Sequence, residues 1–268
     1  MQGKPAVALI CSAVLFAALE TSGFAQTPAQ GVGVANVIDH IHLGVPDPAK
    51  GVEWYQEYFG GQKMAEAPDR LLFGKTRVIF AKNGTPKPSE GGVLNLIGFA
   101  VADVDAVVKK MQSGGVKIDM PAMTMDGMKM AEVTDPWGTV IEVVQDSSQI
   151  GLHHLGLLSP DPAASLAWFA DKFGGKVVKY RGKVDAINYG GVWLLGEKGD
   201  SVPSQGHAID HMGMRPINLE NVVAGLKAKN VKILTEPRPL TLPDGTTVHL
   251  AFAEGPASVR IELVERPN

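Results

Sequence analysis

The sequence predicts an α+β chain of four βαβββ units arranged as two tandem halves, and three observations carry that reading. Residues 46–61 (PDPAKGVEWYQEYFGG) match residues 160–175 (PDPAASLAWFADKFGG) at eight of sixteen positions, an offset of 114. Residues 97–118 match 212–233 at six positions with a shared apolar rhythm, an offset of 115. Each of the four segments then opens with a short apolar strand (IDHIHLGV, LNLIGFAV, GLHHLGLL, AIDHMGMR) that runs into Asp47, Asp103, Asp161 or Asn218, side chains suited to cap a helix.

The elements follow in order. Pro48 and Pro162 stand at first helical positions, where a missing N–H costs little. Val52, Tyr55 and Phe59, and likewise Leu166, Phe169 and Phe173, recur at near-helical spacing, and the Gly-Gly after each phenylalanine is a stop signal. Segments such as RVIFAK, MKMAEV, TVIEVVQ, GVWLLG, TVHLAFA and VRIELVE are β-branched or alternating, and turns such as Asp135-Pro136-Trp137-Gly138 break them. The units are expected at about 37–84, 92–147, 150–199 and 207–266. The methionine-rich stretch from Met120 to Met130 reads as a flexible loop that packs or covers a site.

The first 25 residues differ from the rest. Lys4 precedes an uncharged apolar stretch at 6–19, followed by the small residues Ser22, Gly23 and Ala25. This is the layout of a secretory signal cleaved near Ala25–Gln26, and it predicts a secreted or periplasmic protein with a linker over 26–36 and no stable membrane span after cleavage. Cys11, the one cysteine of the 268 residues, lies in that segment. A chain cleaved there has no thiol, which excludes disulfides, thiol catalysis and cysteine-ligated zinc. The net charge of −3 and the absence of a basic run argue against nucleic acid as a partner. Homo-oligomers are compatible with this composition.

With its duplicated βαβββ pattern, the chain resembles the vicinal oxygen chelate superfamily, which includes glyoxalase I, bleomycin-resistance proteins and type I extradiol dioxygenases. The resemblance covers nearly all of 37–266. It implies that units pair into two domains, 37–147 and 150–266, each a curled mixed sheet forming an incomplete barrel. It also implies a divalent metal inside, held from first and last strands. The first-strand position is His40, Leu96, His154 and His211 in the four units, and last-strand glutamates are Glu142 and Glu262. By that correspondence the C-terminal domain is complete, with His154, His211 and Glu262 as metal ligands. The N-terminal domain keeps His40 and Glu142 but has Leu96 at its second position, and is expected to be empty. His42, on the same strand face as His40, is a substitute ligand there. Gly156 and Gly213 leave room beside the ion.

Two imidazoles and one carboxylate suit Fe(II) or Mn(II), with zinc or nickel as alternatives, and leave coordination positions open for a substrate that chelates through two neighbouring oxygens. The resemblance thus implies a dioxygenase-like enzyme. A glyoxalase-type lyase or isomerase, and a non-catalytic small-molecule binder, are the alternatives. Phe252 stands about where extradiol enzymes place a tyrosine, so His249 becomes the first candidate for acid–base work, with His207, Tyr189 and His153 behind it. Trp193 and Phe252 could form an apolar wall for the substrate, and Arg260, with Arg215, could pair with an anion.

Overall fold

In a computed structural model, residues 34–242 and 245–267 are described. The expected signal segment, with Cys11, lies outside them. Four units occur. The first is β1 (Val34–Val45), α1 (Pro48–Phe59), β2 (Gln62–Met64), β3 (Ala67–Phe73) and β4 (Thr76–Lys82). The second is β5 (Leu94–Val101), α2 (Val104–Ser113), β6 (Lys117–Met125), β7 (Met128–Thr134) and β8 (Val140–Gln145). The third is β9 (Gly151–Ser159), α3 (Pro162–Phe173), β10 (Val178–Tyr180), β11 (Val184–Tyr189) and β12 (Val192–Lys198). The fourth is β13 (Ile209–Pro216), α4 (Leu219–Ala228), β14 (Ile233–Thr241), β15 (Thr247–Glu254) and β16 (Arg260–Glu265).

The helix boundaries sit where the sequence places them. Asp47 accepts a hydrogen bond from Ala49 N at 3.1 Å, Asp161 from Ala164 N at 3.0 Å and Asn218 from Asn221 N at 2.9 Å. Gly60 and Gly174 end α1 and α3 with φ of 76° and 77°, a conformation that favours glycine. The methionine-rich stretch is not a loop. It is the β6–β7 hairpin, with Met123 opposite Met130 and Met125 opposite Met128, because the unbranched chains alternate across a paired edge ribbon.

The strands form two open eight-stranded sheets, in the orders β14-β15-β16-β13-β1-β4-β3-β2 and β10-β11-β12-β9-β5-β8-β7-β6. The first unit therefore shares a sheet with the fourth, and the second with the third, which corrects the expected division into 37–147 and 150–266. The connections account for it. The short link 146–150 keeps the third unit beside the second, whereas the longer links 83–93 and 199–208 cross between the sheets together. They run side by side there, with parallel bridges Lys87–His207 and Gly92–Val202.

One continuous apolar core joins both sheets and all four helices. Phe59 of α1 stacks on Phe99 of β5 at 4.2 Å, and Phe73 of β3 tilts against the same ring at 5.3 Å. Tyr55, fully buried, donates to the buried Asp135 at 2.8 Å, and Asp135 also accepts from the backbone of Trp137 and Thr139. That carboxylate fastens the 135–138 turn to α1, satisfying polar groups that would otherwise be stranded in the core. No helix among the described residues is long and apolar enough to cross a membrane.

Candidate metal centre

Two rows of side chains cross the first sheet on one face. Registers run Phe252, Glu262, Gly213, His40, Arg77 in one row, and His211, His42, Ile79, Arg70 in the next. Because side chains alternate along a strand, these residues point the same way. Glu262 and His40 are separated in their row by the strand bearing Gly213, and they meet over it: His40 Nε2 lies 3.0 Å from Glu262 Oε2. A Cβ on Gly213 would fall 2.1 Å from the His40 ring. The glycine is the gap that lets two side chains from non-adjacent strands touch.

His211 Nε2 lies 3.0 Å from the same Glu262 Oε2. With His42, whose ring stacks on His211 at 4.3 Å, the four side chains bring one potential ligand atom each to within 4.8 Å of one another. Each of the two histidines touching Glu262 is backed by a carboxylate. His40 Nδ1 is 2.9 Å from Asp39, and His211 Nδ1 is 2.5 Å from Asp210. His42 has no such carboxylate among the described residues.

This arrangement fits a divalent cation. Carboxylates at Nδ1 select the tautomer with its proton on that nitrogen, so both Nε2 lone pairs face the anionic oxygen of Glu262. Three electron-rich atoms at hydrogen-bonding separations repel unless a cation lies among them. A 3.0 Å spacing is close to the roughly 3 Å between neighbouring donors bound at about 2.1 Å to one ion. Without a metal, protons take that role: burial pulls His40 down, but the charge of Glu262 and the Asp39 hydrogen bond overturn it and raise the imidazole. Burial likewise pushes Glu262 up, and the charge of His40 with hydrogen bonds from both histidines holds it well below the usual carboxylate range. Burial, with the neighbouring His211 and His40, pushes His42 well below its ordinary value, so it stays neutral.

The ligand set expected from the sequence is divided between the sheets. His211 and Glu262 are together, but His154 lies in the second sheet, its Nε2 3.0 Å from Glu142. The separation follows from unit pairing: the partner of the fourth unit is the first, so His40, and not His154, stands beside His211 and Glu262. The second sheet repeats the same row as Glu132, Glu142, Gly98, His154, Trp193. Gly98 again makes room, a Cβ there falling 1.9 Å from the His154 ring. Leu96 and Gly156 occupy the positions of His211 and His42, so two of the four donors are missing. Gly156 leaves space for Glu197 and Asn95 rather than for an ion.

Other expected site residues separate in the same way. Phe252 stands edge-on to His211 at 5.3 Å, and the Arg260 guanidinium lies 3.9 Å over the Phe252 ring while donating to Asp210 at 3.2 Å. Trp193 is in the second sheet, packed on Tyr180. His249 is exposed and alternates to the face opposite Phe252 and Glu262, which removes it from acid–base work at this centre. His207 is tied to the Pro88 carbonyl at 2.7 Å, Tyr189 donates to the Gly174 carbonyl from within the core, and His153 is hydrogen-bonded to His154 and Tyr180. A signal for the true pairing was in the sequence: IDHIH and IDHMG share an Asp-His pair, and the strands of the other two units carry Asn-Leu and His-His instead.

The glyoxalase/bleomycin resistance protein/dioxygenase superfamily model matches residues 37–143 and 151–263. The chain belongs to this superfamily. Its two matches are the two sequence halves, although the sheets are built across them. Among solved structures, glyoxalase I from Zea mays is similar at 20% identity with a TM-score of 0.65, over 85% of this chain and 92% of that one. A Bacillus subtilis protein provisionally named a dioxygenase is similar at 15% identity with a TM-score of 0.61, over 90% of this chain and 87% of that one. Both likenesses concern the fold. A search of curated proteins found no match.

Proposed function

We propose that this chain is a metal-dependent enzyme of the superfamily, acting on a small substrate that binds through two neighbouring oxygens, with His40, His211 and Glu262 as metal ligands. The observation that carries the reading is the meeting of both Nε2 atoms on one oxygen of Glu262, each ring backed by its own aspartate. Two histidines and one carboxylate form a set that holds Fe(II) or Mn(II) and leaves positions open. A bound ion there would act as a Lewis acid on the substrate oxygens or as a platform for O2.

The protein's own groups supply the rest. Asp39 and Asp210 fix the two imidazoles. Ile79 and Val264 give the cavity beside the centre apolar walls, while Phe252, capped by Arg260, packs on His211; His42, neutral and unsupported by a carboxylate, is placed to accept a proton at the substrate. On this division of labour a dioxygenase-like reaction is the leading reading. The closeness of His42 to the other three donors supports a second, in which it is a fourth ligand and the chemistry is that of a lyase or isomerase. The export expected from the first 25 residues belongs to this proposal, and the N-terminal sequence of the protein recovered from cells tests it.

The deciding experiment is metal analysis of the full chain beside His40→Ala, His211→Ala, His42→Ala and His154→Ala. Loss of metal in the first two, retention in His154→Ala, and retention with lost turnover in His42→Ala are expected, and O2 uptake with catechols follows. Metal lost in His42→Ala moves the assignment to the lyase or isomerase, and a chain that holds no metal in wild-type form ends the enzyme proposal in favour of a binding protein.

A further inference from the structure

The metal centre opens into an arginine-rich cleft. A cavity of 270 Å³ touches His40, His42 and Glu262, and shares Asp69, Arg70, Leu242, Val248 and Arg266 with an adjoining cavity of 390 Å³ that also reaches Arg77. The sheet registers place these groups beside the ligands. Arg77 is the neighbour of His40 across β1 and β4, and Arg70 stands two strands from His42 in the same row, about 10 Å away at the usual strand spacing.

Arginines at this cleft crowd onto shared carboxylates. Arg77, Arg215 and Arg266 all converge on one carboxylate, Asp39, which is fully buried and also holds His40. Arg77 Nε is buried without a partner. Arg70, itself buried, gives Nε and Nη2 to Asp69, and no described residue takes its Nη1. Burial, joined by repulsion from the neighbouring guanidinium groups, lowers Arg77 against the pull of Asp39. Such a cluster is costly unless it has a task, because an unpaired buried donor or charge loses its hydration without compensation.

We infer that the substrate is an organic anion, whose carboxylate or phosphate is seated by Arg70, Arg77 and Arg266 while two other oxygens reach the metal. This rests on the metal-dependent reading above. Arginine suits the task because its planar fork presents paired donors to an oxyanion. Asp39 then has two tasks: it orients His40 and fixes the arginine group, so the anion and the metal oxygens are held in one frame. Ile79, between His42 and Arg70 in the row, gives the floor of the cleft an apolar step between the two polar ends.

The test is a pair of probes with the same vicinal diol, 3,4-dihydroxybenzoate and catechol, titrated calorimetrically into the metal-loaded full chain, with phenyl phosphate and benzoate separating phosphate from carboxylate preference. The carboxylated diol should bind roughly ten- to hundredfold tighter. That advantage should shrink to a few-fold or less in Arg70→Gln at unchanged metal content, with Arg77→Gln as a second variant should the first fail to fold. Equal affinity for both diols, or an advantage that survives both substitutions, overturns the inference. If the chain binds no metal, the enzyme proposal fails separately. Thermal stabilisation of the metal-free protein by benzoate or phosphate, lost in Arg70→Gln, would still uphold the anion site, and no stabilisation would remove it.

Discussion

Gly213 shows how much of this centre depends on an absent atom. A methyl group there would lie 2.1 Å from a ring held at both nitrogens, by Asp39 on one side and Glu262 on the other. Gly213→Ala should therefore displace His40, lowering metal affinity by at least about tenfold in an equilibrium dialysis measurement, while helices and sheets survive by circular dichroism. Asp210→Asn probes the backing of the other imidazole. It should cost about 10- to 100-fold in metal affinity by the same measurement, since the neutral amide neither fixes the ring nor raises its basicity. Asp39→Asn is expected to be far worse, destabilising the fold by about 3–5 kcal/mol in urea unfolding, because three arginines lose their shared counter-charge at once. The residue types were legible in the sequence: His211, Glu262 and the spacing role of Gly213 could be picked out there. His40 was read as belonging to an empty site, because its own half offers Leu96 where a histidine was needed.

At the level of single elements the sequence speaks more clearly, since caps, stops and alternation are local properties of the chain. The aspartates before α1, α2 and α3 and the asparagine before α4 all accept backbone hydrogen bonds at helix starts. Tyr55→Phe separates packing from polar satisfaction at α1. It should destabilise by about 1–3 kcal/mol in urea unfolding, leaving metal content unchanged, because Asp135 loses a buried donor and Tyr55 makes its ring contacts with Trp54, Phe59, Phe80 and Phe99 rather than with the histidines. On β9, burial together with the charge of His154 pushes His153 down to about 4, against an ordinary value of 6.5. A histidine depressed in this way contributes its full stability above pH 6.5 and loses it as the pH falls toward 4, a change of about 3 kcal/mol. Urea titrations of His153→Gln across that interval should show a shallower fall than wild type. The β6–β7 hairpin was harder to read, because methionine has no strong strand preference and its unbranched chain gave no clear period.

For the whole molecule, the repeats identify four equivalent units but are silent on which units share a sheet. First with second and first with fourth satisfy the same strand grammar, and only the connections and the charges at the strand centres distinguish them. The halves that the family model recognises are accordingly not folding partners of themselves: β1 of the first half ends beside β13 of the second, and β5 beside β9. Residues 37–147 expressed alone should therefore expose two long unpaired strand edges and aggregate or remain unfolded by size exclusion and circular dichroism, whereas the same half mixed with 150–266 should regain the sheets and the contact of His40 with Glu262.

The bond between His40 and Glu262 joins residues 222 positions apart. A ribosome emitting this chain releases the second and third units while the first still lacks its partner, so the sheet of the second and third units can close before that of the first and fourth. The cluster of His40, His42, His211 and Glu262 must wait for β16, which ends two residues before the last described residue. On the proposed assignment, ion binding is thus a test of completeness: a chain cut short between His211 and Glu262 keeps three imidazoles without the carboxylate that gathers two of them, and metal uptake followed during synthesis should begin only after the final strand has emerged.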